Sequence, residues 1–224
     1  MENLNFHGIP VVYIFIVIAL ILPRIPAIGK FFNIINTAIH EFGHAIFALL
    51  MQGKVHKIEL MRDTSGNTVT QCPSLIGNIL VSLAGYPFAA AVGYFCCYLN
   101  EVGYQYGLIV GLSVLFLLML IFWIRNGYGI VWILLFCGFN AWLIYSNQQQ
   151  YINIAALFYA IVIMMEAVSS SFILLFLSFK DSNAAGDASN LTKFTHIPAI
   201  IWSLAFVAFS VWMGYKSAIL LHLF

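Results

Sequence analysis

His40-Glu41-Phe42-Gly43-His44 sets two imidazoles and a carboxylate at a spacing suited to holding one metal ion. On an α-helix, positions i and i+4 are one turn apart and roughly 40° apart around the axis, so both rings can reach a common point. Glu41 lies about 60° from His44 on the flank of that face. It can reach an activated water there without ligating the metal, the position of a general base in a zinc hydrolase. Multiplying residue frequencies gives about 0.004 chance occurrences of H-E-x-x-H in a chain of this composition. The bland reading is a pair of hydrogen-bonded core histidines beside a neutral glutamic acid. The surroundings weigh against it, because the motif lies in an apolar run and ionisable groups at membrane depth are costly.

The chain that must position this motif has 224 residues, 62% of them hydrophobic and 8% charged. Mean hydropathy is +0.97. Soluble domains carry about 25% charged residues, so the composition is that of an integral membrane protein. Lipid offers no partners to the backbone, so such a chain is nearly all helical. The 16% aromatic content suits interfacial belts. A net charge of +1 excludes a nucleic-acid surface and a polybasic lipid patch. Cys72, Cys96, Cys97 and Cys137 form no C-x-x-C and read as free thiols.

The fold class expected is an all-α polytopic membrane protein with about seven transmembrane helices and one small membrane-surface β-hairpin, in a single domain over 1–224. The spans read as Pro10 to Leu22, Phe31 to Met51, Leu75 to Leu99, Tyr106 to Ile124, Tyr128 to Tyr145, Tyr151 to Phe179 and Pro198 to Leu221. Glu2 precedes the first span without a basic residue, and Pro23-Arg24-Ile25-Pro26 follows it, so this span reads as an uncleaved helix. Two links are long. The first, Gln52 to Ser74, has strand-like Lys54 to Leu60, turn residues Asp63 to Asn67 and β-branched Thr68-Val69-Thr70, which together predict a hairpin. The second, Lys180 to Ile197, is helix-compatible over Ala184 to Phe194, with Ser182 or Asn183 as the N-cap. With the hairpin inside, the inner links hold Lys54, Lys57, Arg62, Arg125, Lys180 and Lys193, against Arg24, Lys30 and Lys216 outside. The positive-inside rule then places the site toward the cytoplasm.

A catalytic zinc takes three protein ligands and keeps an open position. Candidates for the third are Glu166, Asp181, Asp187, His56 and His196. His56 reads as solvated and Asp181 as a helix cap. Glu166, beside Ser169-Ser170-Ser171, reads more readily as a protonated carboxyl bonded to another helix. Asp187 lies among small residues that could pack on the zinc helix, or it is a solvated loop acid.

Thr37 to Ala45, the glycines Gly53 and Gly66 with Thr68-Val69-Thr70, Leu83-Ala84-Gly85-Tyr86-Pro87, and Gly186-Asp187-Ala188 with Phe194-Thr195-His196-Ile197-Pro198-Ala199 carry a resemblance. Together they resemble the site-2-protease family of intramembrane zinc metalloproteases, in its small bacterial branch without PDZ or CBS domains. The last stretch is similar to that branch's Ser-Asp-Ala and Leu-Thr-Gly-Ile-Pro-Ala. The resemblance implies one Zn²⁺ held by His40, His44 and Asp187, with Glu41 as catalytic base. It also implies a bacterial membrane location and a transmembrane or membrane-proximal protein substrate. The chain departs from better-known members at Ala188, where they have Gly, and at Phe88-Ala89-Ala90, where they have an Asn. Asn78 or Ser82 could supply that polar contact. The hairpin offers an edge for β-strand addition of an unwound substrate. Two competing readings are a catalytically silent zinc protein that binds helices and a membrane transporter. Glu41 argues against the first, and the lack of an inverted repeat argues against the second. Homo-oligomerisation or a substrate-presenting partner is compatible with either class.

Overall fold

Apolar runs of bilayer length become helices because only a helix satisfies its own backbone within lipid. The computed structural model describes residues 5, 6, 9–22, 25 and 28–223. Strands β1 (Asn5–Phe6) and β2 (Ile9–Pro10) pair antiparallel and lead into α1 (Val11–Ile21). Then come α2 (Ile28–Leu50), β3 (Lys54–Leu60), β4 (Gly66–Gln71), α3 (Leu75–Glu101), α4 (Gln105–Phe122), α5 (Gly127–Tyr145), α6 (Gln149–Lys180), α7 (Gly186–Thr195) and α8 (Ala199–Leu220). Helices α3, α4, α5, α6 and α8 are each long and apolar enough to cross a membrane. Helix α1 is apolar but has 11 residues. Helix α2 has 23 residues, about 34 Å at 1.5 Å per residue, and carries the polar site residues. Glu2, His7, Pro23, Arg24 and Pro26 lie outside the described residues, so the expected N-terminal junction and the outer charge at Arg24 do too.

Large apolar side chains such as Leu50, Phe95, Ile121, Phe172, Phe176 and Trp212 are exposed, as bilayer-facing surfaces require. The core forms behind them around α6. Trp132 and Phe136 stack at 5.4 Å, and Phe116 packs edge-on against both. The Trp132 indole N–H donates to the Phe31 carbonyl at 2.8 Å, which ties α5 to the start of α2. The Tyr159 hydroxyl donates to Asn140 at 2.9 Å, and Asn140 donates to Ser113 at 2.9 Å. These bonds satisfy polar groups that would otherwise destabilise the junction of α4, α5 and α6. All four cysteines are free.

The hairpin forms where the polar link predicts it. Strand β3 has the expected bounds, whereas β4 begins at Gly66, because Gly66 and Asn67 pair with Leu60 and Glu59. The turn closes earlier: Met61 N–H donates to the Ser65 carbonyl, and the amide and hydroxyl of Ser65 both donate to Asp63. Those two bonds hold the Asp63 carboxyl below the usual carboxylate range. The hairpin is more than a surface ornament. Ile58 and Leu60 are fully buried, and Ile58 N–H donates to the Trp123 carbonyl at 2.9 Å. Asn126 brackets the Leu60 backbone, accepting from its N–H at 3.2 Å and donating to its carbonyl at 2.6 Å. The short link between α4 and α5 thus anchors β3.

The second long link departs from expectation at its start. Neither Ser182 nor Asn183 is the N-cap of α7; that position belongs to Ala185. The Asp181 side chain accepts from the Asn183 N–H at 3.0 Å, which commits Ser182–Ala184 to a 3₁₀ turn. The chain then restarts as α7 at Gly186, whose φ is +44°. Asp181 is a cap, as expected. At the other end of α7, His196 adopts the left-handed conformation with φ +59°, the place where the resembling branch has glycine. A side chain costs about 1 kcal/mol there. His196→Gly is therefore expected to raise the apparent unfolding temperature in detergent by about 2–4 °C, measured by circular dichroism.

Candidate metal centre

Helical periodicity alone puts His40 and His44 side by side, and their Nε2 atoms lie 3.0 Å apart. Helix α7 supplies the third group. Asp187 Oδ2 is 3.2 Å from His40 Nε2 and 3.3 Å from His44 Nε2. Asp187 occupies the first turn of α7, where the helix dipole favours a carboxylate. Its neighbours hold α7 in place: Ala185, Ala188 and Leu191 are fully buried in a small core shared with Leu174, Ala199 and Phe206, flanked by Ile79, Leu83 and Tyr86 of α3.

Two observations say what this triangle fits. His44 Nδ1 is 2.7 Å from the Val81 carbonyl, so in the neutral ring Nδ1 donates there and Nε2 presents a lone pair to the triangle. Asp187 Oδ2 is shut from solvent and has no hydrogen-bond partner. With the rings in the tautomer that leaves Nε2 free, three donor atoms face one point, an arrangement that suits a cation. Ligands on a tetrahedral zinc with bonds of about 2.1 Å sit about 3.4 Å apart. The observed separations of 3.0–3.3 Å fall just inside that value, so His40, His44 and Asp187 could hold one metal ion.

Helix α3 reaches the triangle with its backbone. A Cβ built on Gly85 would lie 2.5 Å from His40 Nε2 and 2.7 Å from His44 Nε2, inside the van der Waals limit. Tyr86, next in sequence, packs edge-on to the His40 ring at 4.6 Å and stacks on Phe206 at 5.2 Å. On the other flank of α2, Glu41 faces the hairpin. It is 5% exposed, and its Oε2 accepts from the Thr68 hydroxyl at 2.6 Å. Thr37, one turn earlier, donates to the Thr64 carbonyl at 2.8 Å.

These groups line a cavity of about 600 Å³, within the range of ligand pockets. Its rim includes the exposed Asp63, Ser65, Asn67 and Asn190, so it reaches the polar end of the bundle. The cavity brings together His40, Glu41, His44 and Asp187, and Ser82 lines it as well. Asn78 and Glu166 are not among its lining residues. His56 is exposed and bonds Gln71, and His196 is exposed at the end of α7, so neither approaches the triangle. Asn36 lines the cavity at 6% exposure, with Oδ1 unpartnered. Its position four residues before His40 was a readable signal, since 36, 40 and 44 share one helical stripe. The contact at Gly85 and the Val81 carbonyl carried no such signal, because both act through backbone.

A model of the peptidase M50B-like family matches residues 12–216. No curated protein and no solved structure matches the chain. The close approach of Gly85 yields a direct expectation. Gly85→Ala is expected to weaken metal binding at least about tenfold, read by competition with a metal chelator, with the helical circular dichroism unchanged.

Proposed function

Because the chain belongs to the peptidase M50B-like family, the site-2-protease family, we propose that it is an intramembrane zinc metalloprotease that hydrolyses peptide bonds of membrane-embedded or membrane-proximal proteins. The observation that carries this reading is the set of three donor atoms within 3.0–3.3 Å of one another, with Glu41 on the adjacent flank of the same cavity. His40, His44 and Asp187 would hold one Zn²⁺. A bound zinc ion supplies Lewis-acid polarisation of the carbonyl and lowers the pKa of water toward about 7. Glu41 manages the protons: it takes one from the water that attacks the peptide carbonyl and delivers one to the departing amine. Water addition and C–N cleavage thus balance, giving a carboxylic acid and an amine.

The remaining residues position the substrate. A helical substrate must unwind first, since its backbone is closed in intrahelical bonds. Strand β4 lies beside α2 and has no strand on its outer side among the described residues. An extended substrate segment adds there, over the cavity. The polar rim admits water from the same side. We place that side in the cytoplasm on the balance of Lys and Arg in the links, and in a bacterial cell on the resemblance to the small bacterial branch. The 1–224 chain acts as one membrane protease domain.

The test is cleavage of a transmembrane peptide by the reconstituted protein. Glu41→Gln is expected to lower turnover by about 10²–10⁴-fold with one zinc still bound per chain. Asp187→Ala is expected to lose both the metal and cleavage. Unchanged turnover in Glu41→Gln would rule out the proteolytic mechanism. Full zinc occupancy with no turnover of any peptide would favour a silent helix-binding protein.

A further inference from the structure

The hairpin touches the base itself, not only the space a substrate would fill. Thr68 projects from β4 to Glu41, and its hydroxyl donates to Oε2 at 2.6 Å, the length of a strong charge-assisted bond. The same oxygen is 3.2 Å from the Glu41 backbone carbonyl, so the single hydroxyl proton has two acceptors and the carboxylate is the nearer. Two residues before Thr68, Gly66 lies so close to Glu41 that a Cβ would fall 2.5 Å from Oε1 and 2.8 Å from Cδ. One carboxylate oxygen is bonded and the other is walled by bare backbone. Glu41 therefore has little rotameric freedom, although a glutamate on a helix flank ordinarily has several rotamers. The carboxylate offers about four lone-pair sites, so one bond from Thr68 leaves capacity for a water proton.

Nor can the hairpin drift away from this contact. Thr37 donates to the Thr64 carbonyl at the tip, and Asn126 and Trp123 hold β3 from the opposite side. Helix α2 thus presents two polar flanks with separate partners. His40 and His44 face α3 and α7, and Thr37 and Glu41 face the hairpin.

We infer that Thr68 is the positioning residue for Glu41, aiming the carboxylate from the hairpin, with Gly66 making the room that this requires. The inference rests on Glu41 being the base of the proposed hydrolysis. It makes the hairpin part of the catalytic apparatus: whatever seats on β4 borders the strand that aims the base.

The experiment compares Thr68→Val and Thr68→Ser in the full chain reconstituted with zinc. Valine keeps the branched shape and β-propensity without the hydroxyl, and serine keeps the hydroxyl. Three quantities are measured: zinc bound per chain, kcat and KM for a fluorogenic transmembrane peptide, and the Kd of a peptide hydroxamate. A hydroxamate on zinc donates a proton to the neighbouring carboxylate, so its affinity reports the aim of Glu41 without turnover. Thr68→Val is expected to keep one zinc, lower kcat by about 10- to 100-fold with KM within about twofold, and weaken hydroxamate binding by about tenfold. Thr68→Ser is expected to restore both readings to within about threefold of the parent. Equal losses in the two variants, a change confined to KM, loss of zinc, or no effect of valine on either reading would each overturn the assignment. If the parent binds zinc and hydroxamate but cleaves nothing, the protease reading fails, and the hydroxamate comparison still decides the role of Thr68.

Discussion

Three lone-pair atoms aimed at one point cannot stay together without positive charge between them. Nε2 of His40, Nε2 of His44 and Oδ2 of Asp187 form that triangle. Each side is shorter than a comfortable contact between unpaired acceptors, and the carboxylate oxygen has no other partner. Much of the surrounding architecture serves this convergence. The Val81 carbonyl orients the His44 ring, and Gly85 lets α3 approach without a side chain. The restart of the chain at Gly186 brings Asp187 into the first turn of α7, with Ala185, Ala188 and Leu191 holding that helix down.

Depth is the second constraint. His44 lies six residues before the end of α2, about 9 Å from the hairpin end of that helix. Ionisable groups at that depth need partners or water. The fold supplies partners and an opening to the polar rim. The cavity runs from the triangle to a polar rim on the hairpin side, and both strands of the hairpin are tied to neighbouring elements. The link between α4 and α5 grips β3, and α2 itself grips the tip and β4 through Thr37 and Glu41. A two-stranded sheet is marginal by itself in water. Here it is ordered by its neighbours, and its position relative to the carboxylate follows from those ties.

Much of this was legible beforehand because it is local. The i, i+4 spacing commits His40 and His44 to one face whatever surrounds them, and the same periodicity sets Asn36 on their stripe. Runs of apolar residues at bilayer length dictate helices, since lipid permits little else. Alternation and turn chemistry between Lys54 and Gln71 specify a hairpin to within two residues of its observed strands. The start of α7 lies two residues later than its composition suggests, because the Asp181 side chain accepts from Asn183 and turns Ser182–Ala184 into a separate 3₁₀ turn.

The sequence by itself determined which helix offers two candidate metal ligands and a candidate base, and that this helix sits among membrane spans. Residue types left the third ligand open between Glu166 and Asp187, and only family resemblance favoured the latter. Tertiary structure decided what contact requires: that Asp187, 143 positions beyond His44 in the chain, meets both imidazoles while Glu166 lies outside the cavity. It decided that Gly85 and the Val81 carbonyl form the seat of the two rings, and that Thr68 reaches Glu41. The physical reason is range. Periodicity and capping act within a few residues, so they can be read along the chain. A ligand contributed from a distant helix, a missing Cβ and a backbone carbonyl gain meaning only when packing brings them within about 3 Å of a partner.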